Sequence, residues 1–364
     1  MTIDRILEQS SIIICCGSGG VGKTTTAAAI GIAAARTGRR VVVVTIDPAK
    51  RLADALGLTG ELGNEPHLID SPPTAPGQLW AMMLDTQATF NEVVRAYSAD
   101  KEQVERIMSN RFFRNISKNL SGTQEYMAAE KLFQLHGDAR FDLVVIDTPP
   151  TRDALNFLDA PNRLIRFLDH RLYRYLLTPA RSGLKVLAAA MQPIVRAIAR
   201  IVGAQALDDA LAFFRAFDGM DAGFRHRAEQ VVNLLRSPST SYVVVTSPNL
   251  ETIDEANYFV SKLKEEELST AALIINRIQL SFADIGADLN ECDGSTEDFS
   301  ELQRNLDQLN RRASDQASSV AGLVAHVAPA PVMFVPLFAH DVANAATLSV
   351  VADHLVRDSP NLTY

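Results

Sequence analysis

The segment Gly17–Thr24 has the residue types and the spacing that hold a chain of phosphates. It reads Gly-Ser-Gly-Gly-Val-Gly-Lys-Thr, which fits the pattern G-x-x-x-x-G-K-[ST], and it lies between a predicted strand and a predicted helix. A glycine-rich backbone lets consecutive N–H groups converge on phosphate oxygens, and the start of the helix adds its positive end. The residues predicted to form this cradle are Gly19, Gly20, Val21 and Gly22.

Three side chains at the start of that helix have predicted tasks of their own. Lys23 is predicted to act in catalysis by reaching the β- and γ-phosphates, and the Thr24 hydroxyl is predicted to ligate Mg²⁺. Thr25 is in place to contact the α-phosphate. The sequence therefore predicts ATP and Mg²⁺ as the ligands of this loop.

The same glycines satisfy a second pattern, that of a dinucleotide-binding turn. Three of them match G-x-G-x-x-G, and Asp47 ends the second strand where a dinucleotide fold has its ribose-binding acid. A dinucleotide site has no task for the Lys-Thr pair, nor for a second acidic strand end at Asp147. We interpret the segment as a triphosphate-binding loop, with the dinucleotide site and a purely structural glycine turn as the alternatives.

Two carboxylates end predicted strands. Asp147 follows an apolar run and emerges at the carboxyl edge, where open α/β sheets bind ligands, so it is predicted to hold Mg²⁺. A strand-end aspartate that caps the next turn is the structural alternative. Asp47 precedes Pro48, which restricts it to extended backbone and aims its carboxylate out of the strand end. We predict that Asp47 is the catalytic group that orients and deprotonates the attacking water.

Other polar residues give weaker signals. Asn276 ends a predicted strand and offers an amide donor and acceptor that suit an adenine edge, although a turn residue would look the same. Glu125 and Glu130 are assigned to a solvated helix face.

Short β-branched runs alternate with helical patterns along the chain. Buried runs of this kind, separated by helices, are what a mostly parallel sheet covered on both faces requires. The sequence therefore predicts an α/β fold of the P-loop NTPase kind. The predicted strands are Ile12–Cys16, Val41–Ile46, Gln78–Leu84, Phe141–Ile146, Tyr242–Thr246, Ala272–Ile275 and Val332–Val335.

Two regions depart from that alternation. Residues 153–236 have apolar residues at helical spacing and no strand signal, which predicts an inserted helical subdomain between core segments 1–152 and 237–364. Residues 163–200 contain eight Lys or Arg and one acid, so we predict that this subdomain binds an apolar or acidic client or a membrane surface. Helices that pack only on each other are the structural alternative. Residues 284–301 are predicted to form an exposed loop.

Composition limits the partners. The chain has 364 residues, with 35 Lys and Arg against 43 Asp and Glu, and the net charge of -8 argues against general affinity for nucleic acid. Its three cysteines give no disulfide framework and no metal-ligand spacing, as in a protein of the reducing cytoplasm. We expect a cytoplasmic protein, with peripheral membrane association through the basic helical region as a further expectation.

Taken in order, these residues resemble the ArsA/Get-type ATPases, within the larger MinD-like group of dimeric P-loop ATPases. The overall look is closest to bacterial, actinobacterial-type members. The resemblance is carried by Gly17–Thr25, Asp47-Pro48-Ala49, Gly122-Thr123-Gln124-Glu125, Phe141-Asp142-Leu143, Asp147-Thr148-Pro149-Pro150-Thr151, Asn276-Arg277 and Val335-Pro336-Leu337.

The resemblance implies a dimer that closes around ATP and opens after hydrolysis. Asp47 would lie in the first switch, Asp147 would open the second, and Pro336 would lie at the nucleotide. In the branch that targets tail-anchored membrane proteins, the helical insert forms an apolar groove for a transmembrane client. Residues 153–236 occupy that place here.

The chain also departs from the family pattern. Ser18 stands where the family usually has a lysine that reaches the partner's nucleotide. The second switch reads Asp-Thr-Pro-Pro-Thr-Arg-Asp, which differs from the usual sequence of the family at this place. The zinc-binding and metalloid-binding cysteines of the two known branches are missing. A homodimer, or a heterodimer with a sister ATPase that supplies the lysine, both remain open. So does a nucleotide-gated binding subunit with little turnover.

Overall fold

The computed structural model describes residues 3–47, 51–58, 60, 62–69, 76–114, 123–149, 156–169, 203–217, 219–282 and 296–356. The chain divides into two compact units. The first comprises residues 1–83, 138–155 and 238–364, and the second comprises residues 84–137 and 156–237. Several residues discussed above lie outside the described part: Pro48–Lys50, Gly122, Pro150–Arg152, residues 170–200 and Cys292.

The first unit is built on a sheet that has eight strands in the part of the chain described here. Its strand order is β3-β4-β2-β5-β1-β6-β7-β8, and every neighbouring pair is parallel except β3 with β4. The carboxyl ends of the parallel strands therefore share one edge. The strands are β1 (Ile12–Cys16), β2 (Arg40–Thr45), β3 (His67–Ile69), β4 (Gln78–Met83), β5 (Leu143–Asp147), β6 (Thr240–Thr246), β7 (Thr270–Ile278) and β8 (Val332–Pro336).

Helices connect and cover these strands. One layer packs on a single apolar face of the sheet and buries Ile30, Leu52 and Leu348 there. It consists of α1 (Ile3–Gln9), α2 (Lys23–Arg36), α3 (Arg51–Leu56) and α12 (Ala345–Val356). Two further helices of this unit, α10 (Leu250–Glu265) and α11 (Thr296–Val327), pack against β6 and β7 respectively. Central strands buried at every position are what this double covering produces.

The predicted α/β fold is confirmed, and each predicted strand is present, with ends that differ from the prediction by at most three residues. The short edge strand β3 was not predicted, because three residues are too few to show a periodic pattern. The loop prediction for residues 284–301 is wrong from Thr296 onwards, where α11 begins. Its first residues, Thr-Glu-Asp, look polar and loop-like in isolation, yet acidic residues favour the first turn of a helix.

The second unit is helical in its described residues. Its helices are α4 (Thr86–Tyr97), α5 (Lys101–Ser109), α6 (Thr123–His136), α7 (Asn156–Asp169), α8 (Ala204–Ala216) and α9 (Asp221–Leu235). They enclose an aromatic cluster that includes Phe113, Phe213 and Phe224. This unit is larger than the predicted segment 153–236, since it also contains residues 84–137. That the segment is an inserted partner-binding subdomain stays a prediction.

A buried ion pair crosses this helical unit. Glu130 on α6 is 1% exposed and accepts hydrogen bonds from Arg227 on α9, with Nη2 to Oε1 at 2.9 Å and Nε to Oε2 at 3.1 Å. The guanidinium also lies 3.9 Å from the ring centroid of Phe133. The assignment of Glu130 to a solvated helix face is therefore wrong. A glutamate in a helical pattern does not reveal a cationic partner 97 residues away.

Replacing Arg227 with alanine is expected to destabilise the second unit by about 3 kcal/mol, because Glu130 would remain buried without its cation. The matched control is Glu130→Leu combined with Arg227→Met, which removes both charges, keeps side-chain volume and should cost less than half as much. Urea denaturation followed by circular dichroism measures both. Equal destabilisation of the two variants would show that lost packing, rather than the unpaired charge, determines the cost.

A second charged cluster lies at the amino edge of the sheet. Asp142, just before β5, accepts hydrogen bonds from Arg40, with N to Oδ2 at 2.9 Å and Nη2 to Oδ1 at 2.6 Å. Arg39 donates to the backbone oxygens of Leu7 and Asp142. These contacts, led by the hydrogen bonds from Arg40, lower the pKa of Asp142 to about 2.

The pH dependence of this contact has a defined sign. Because the pKa of Asp142 is lower in the folded state, its stabilisation is complete above its usual pKa of 3.8 and is lost as the pH falls through about 2. Both side chains are more than a third exposed, so Asp142→Asn should cost only about 1 kcal/mol at pH 7. Urea denaturation of both proteins should give a difference that shrinks towards acid pH. A difference independent of pH would exclude the carboxylate charge as its source.

Candidate functional site

The glycine-rich loop connects β1 to α2 at the carboxyl edge of the sheet. Gly22 has a φ of 92° and directly precedes Lys23, the first residue of α2. A Cβ atom at Gly22 would lie 2.2 Å from Nδ2 of Asn276, and one at Gly17 would lie 2.1 Å from the Val245 oxygen. Side chains are therefore excluded from both positions, which leaves the backbone free to curve around a ligand.

Lys23 lies inside this loop rather than in solvent. It is 6% exposed, and its Nζ donates a hydrogen bond to the backbone oxygen of Ser18 at 2.6 Å. Burial lowers the pKa of Lys23, while the nearby Asp147 acts in the opposite direction. Ser18 is itself only 4% exposed, and its hydroxyl has no hydrogen-bond partner. A buried cation whose hydrogen bonds are few is suited to receive phosphate oxygens.

Asp147 ends β5 directly beside the start of α2. Its Oδ2 accepts hydrogen bonds from the hydroxyls of Thr24 at 2.7 Å and Thr45 at 3.0 Å. Its Oδ1 is buried and has no partner. Burial is the main cause that raises the pKa of Asp147 to about 6, while the two threonine hydroxyls act against it.

The donors at this position fit Mg²⁺. The ion prefers oxygen ligands, keeps several waters and binds through one or two carboxylates together with substrate phosphates. Thr24 supplies a hydroxyl, and the buried Oδ1 of Asp147 is an acceptor that still lacks a partner. The described residues include no cluster of three or more His, Cys, Asp or Glu side chains, so an all-protein metal cage is not present among them.

Asp47 comes just after β2 and lines the same cavity as residues of the loop. Its side chain is 14% exposed, and its Oδ2 lies 3.6 Å from Nη1 of Arg51, the first residue of α3. The Arg51 side chain is 57% exposed. The carboxylate predicted to act on water thus lies in the same cavity as Lys23, and the long side chain of Arg51 lies beside it.

Asn276 and Arg277 reach the loop from β7. The Asn276 amide donates to the oxygen of Val21 at 2.8 Å, and Arg277 Nη1 donates to the oxygen of Gly20 at 3.3 Å. Arg277 has a φ of 61°, a left-handed conformation that is uncommon for any residue other than glycine. The Asn276 amide therefore supports the loop, and its predicted contact with adenine stays a prediction.

A cavity of about 350 Å³ lies beside the loop, and neither Asp147 nor Asn276 is part of its lining. Its lining includes predicted residues Gly20, Gly22, Lys23, Thr24, Thr25 and Asp47. Thr148, which belongs to the predicted second switch, also lines the cavity, whereas sequence reasoning missed Asp54, Ala55, Val342 and Ala343. Pro336, which was predicted to lie at the nucleotide, ends β8 and is buried. The cavity lining after this strand comes from Val342 and Ala343 instead. The missed residues follow predicted strand ends by several positions, and that was the one signal available.

A parallel sheet with a Gly-rich loop after its first strand, a buried lysine at the following helix and an acidic neighbouring strand end define a P-loop nucleotide-binding protein. Residues 10–357 match the family described as Anion-transporting ATPase. The chain belongs to this family and is an ATP-hydrolysing P-loop ATPase.

Individual relatives have low sequence identity to this chain, but the similarity extends over most of its length. An "ATPase get3" from Schizosaccharomyces japonicus is 26% identical over 284 residues, which cover 77% of this chain and 78% of that protein. An "ATPase get3" from Aspergillus terreus is 23% identical over 72% of this chain and 71% of that protein. An "ATPase ASNA1 homolog" from Babesia bovis is 25% identical over 74% of this chain and 66% of that protein. These relatives do not confirm the expected closeness to bacterial members.

Among the described helices, none combines the length and the apolar character that crossing a membrane requires.

Proposed function

We propose that the chain hydrolyses Mg-ATP within a dimer that closes around the nucleotide and opens after hydrolysis. We further propose that this cycle acts on a client or a membrane partner. The observation that supports the Mg-ATP site most directly is the buried, unpartnered Oδ1 of Asp147 beside the Thr24 hydroxyl. A buried acceptor without a partner costs about 1–3 kcal/mol, which a bound ligand would offset.

The residues divide the chemistry among them. Lys23 and the N–H groups of the loop hold the phosphates, and Asp47 orients the attacking water and accepts its proton. The water oxygen forms a bond to the γ-phosphorus while the bond to the β–γ bridging oxygen breaks, which gives ADP and inorganic phosphate. Thr24 and Asp147 would hold Mg²⁺, which when bound neutralises charge on the β- and γ-phosphate oxygens.

The partner-binding part of the proposal concerns residues 153–236. Its support is the local charge balance, because residues 163–200 carry eight basic residues and one acid in a chain of net charge -8. Apolar residues at helical spacing accompany those charges. Such a segment suits an apolar client helix or an anionic lipid surface.

A second candidate function is a nucleotide-gated binding subunit with little turnover, which works with a sister ATPase. The observation that favours it is Ser18, whose short neutral side chain stands at 4% exposure within the phosphate loop. ATP binding would persist in such a subunit, because the Gly-rich backbone and Lys23 are present.

The test combines turnover with self-association. The purified chain is expected to hydrolyse ATP, and its mass by sedimentation should rise from monomer to dimer with Mg-ATP but not with ADP. Lys23→Ala should abolish both responses, since productive binding requires that cation. Binding of ATP without turnover would favour the second candidate. A sedimentation mass that is the same with and without Mg-ATP would contradict the proposed cycle.

The client is tested separately with residues 170–200 replaced by a short polar linker. This deletion begins after α7, whose Leu168 is 3% exposed in the core of the second unit. The variant should keep ATP binding and lose co-sedimentation with vesicles of anionic lipid or capture of an apolar transmembrane peptide. Unchanged capture of both probes would exclude this segment as the partner site.

A further inference from the structure

Two consecutive carbonyl oxygens of the phosphate loop accept hydrogen bonds from the end of β7. Nδ2 of Asn276 donates to the Val21 oxygen at 2.8 Å, and Nη1 of Arg277 donates to the Gly20 oxygen at 3.3 Å. A trans peptide is planar, so its N–H points away from its C=O. The N–H groups of Val21 and Gly22 belong to these same two peptides, and they therefore point away from the end of β7.

These two N–H groups remain available as donors. Neither the N–H of Val21 nor that of Gly22 donates to a backbone oxygen in the part of the chain that the structure describes. Gly22 lines the nucleotide cavity, as does Lys23 directly after it. Consecutive N–H groups without an internal acceptor, at the start of a helix, are suited to phosphate oxygens.

The loop's own residues do little to hold these two peptides. Gly20 and Gly22 flank Val21, and their φ angles are 77° and 92°. Glycine adopts both signs of φ at little cost, so the peptide planes between the two glycines could rotate. Such a rotation would turn a carbonyl oxygen towards the phosphates and repel them. Donors outside the loop that fix the carbonyl oxygens prevent it.

The orientation of the Asn276 amide is defined by two contacts. Its Nδ2 faces the Val21 oxygen, and its Oδ1 accepts from the N–H of Arg277 at 3.0 Å. A flipped amide would place oxygen against oxygen and nitrogen against N–H, so only one assignment agrees with both contacts. Asn276 is 9% exposed. The donor and the acceptor that would read an adenine edge are therefore both engaged with the protein itself.

A bulge in β7 holds the second of these contacts in place. Asn276 pairs with Val335 and Ile278 pairs with Pro336 on β8, so Arg277 is an extra residue without a counterpart. Its φ of 61° is left-handed, and its N–H turns back to the Asn276 side chain. Pairing with β8 resumes immediately after the bulge, so the neighbouring strand fixes both sides of it. Backbone strain that the surroundings impose in this way is concentrated at functional sites.

We propose that Asn276 is a positioning residue for the phosphate loop, and that the left-handed backbone at Arg277 sets the direction of its amide. Asn276 fixes the peptide between Val21 and Gly22 with its N–H towards the phosphates, and thus acts through the loop rather than on the base. The proposal rests on the Mg-ATP site proposed above. Its distinguishing consequence is an equal contribution of Asn276 to the binding of ligands with and without adenine.

The first test compares Mg-ATP with Mg-tripolyphosphate, which has the phosphate chain but no base. Asn276→Leu keeps the branched shape of the side chain and removes its donor. It should weaken both ligands by the same factor, about 10-fold, as measured by isothermal titration calorimetry. The matched control is Asn257→Leu on α10, which loses a side-chain hydrogen bond to His326 and should leave both affinities unchanged.

The second test separates the backbone at position 277 from the guanidinium. Arg277→Gly and Arg277→Val both remove the cation, but glycine accepts a left-handed φ, whereas a β-branched residue strongly disfavours it. Arg277→Val should bind Mg-tripolyphosphate about 10-fold more weakly than Arg277→Gly does, because only valine disturbs the bulge that orients Asn276. Arg277→Gly should also unfold at a higher urea concentration than the wild type, since its backbone is unstrained.

The outcomes that would overturn the proposal are specific. If Asn276→Leu weakened Mg-ATP but not Mg-tripolyphosphate, Asn276 would act on the base. Equal affinities of the glycine and valine variants would remove the role of the left-handed backbone. This second comparison also stands if circular dichroism shows that Asn276→Leu does not fold. A wild-type protein that binds Mg-ATP but no tripolyphosphate would overturn the proposal, whereas one that binds neither would contradict the Mg-ATP site itself.

Discussion

Replacing Asp47 with asparagine is expected to lower ATP turnover by about 100-fold or more while Mg-ATP binding persists. Asparagine keeps the shape of the side chain, but it cannot accept the proton of the attacking water. Asp47 lies in the cavity with Lys23 and is only 14% exposed, so bulk water would not easily replace its function. Steady-state turnover and the affinity for a non-hydrolysable ATP analogue measure the two effects separately.

The cavity offers a matched control for that experiment. Asp54 on α3 also lines the cavity but does not end a strand, so Asp54→Asn should change turnover little. Lys23→Ala gives the opposite comparison, because it should abolish productive binding itself. If Asp47→Asn turned over normally, or Asp54→Asn were equally slow, the catalytic role would not belong to Asp47.

The phosphate loop and its neighbours were predictable because they depend on local chemistry. The spacing of the glycines, Lys23 and Thr24 is fixed by one short turn between a strand and a helix. The position of Asp147 was predictable as well, since parallel strands end at one edge and β5 pairs directly with β1. The observed hydrogen bond from the Thr24 hydroxyl to Asp147 is a consequence of that strand register.

The structural features that could not be predicted from the sequence depend on contacts between distant segments of the chain. Glu130 looked solvated because its partner, Arg227, is on another helix. Arg277 lines the nucleotide cavity only because a register shift near the end of β7 gives it a left-handed backbone conformation. Val342 and Ala343 belong to a loop whose path depends on packing rather than on any motif.

Replacing Ser18 with lysine is expected to raise the turnover of the isolated chain by about 10³-fold, the lower end of what a cation that stabilises the transferring phosphoryl group contributes. Ser18 is neutral, and its side chain is too short to reach a second subunit. The chain alone should therefore hydrolyse ATP slowly. Ser18→Met, which adds length without charge, is the matched control and should leave turnover low.

One competing source of that cation is Arg51, whose guanidinium lies 3.6 Å from Asp47 and lines the same cavity. A cation in this position could move from the carboxylate to the γ-phosphate within one subunit, with no need of a sister chain. The two sources give opposite results. Slow basal turnover that Ser18→Lys raises and Arg51→Ala hardly changes would favour a cation supplied by a sister subunit. Full basal turnover that Arg51→Ala removes, while Arg51→Lys restores part of it, would assign the cation to Arg51.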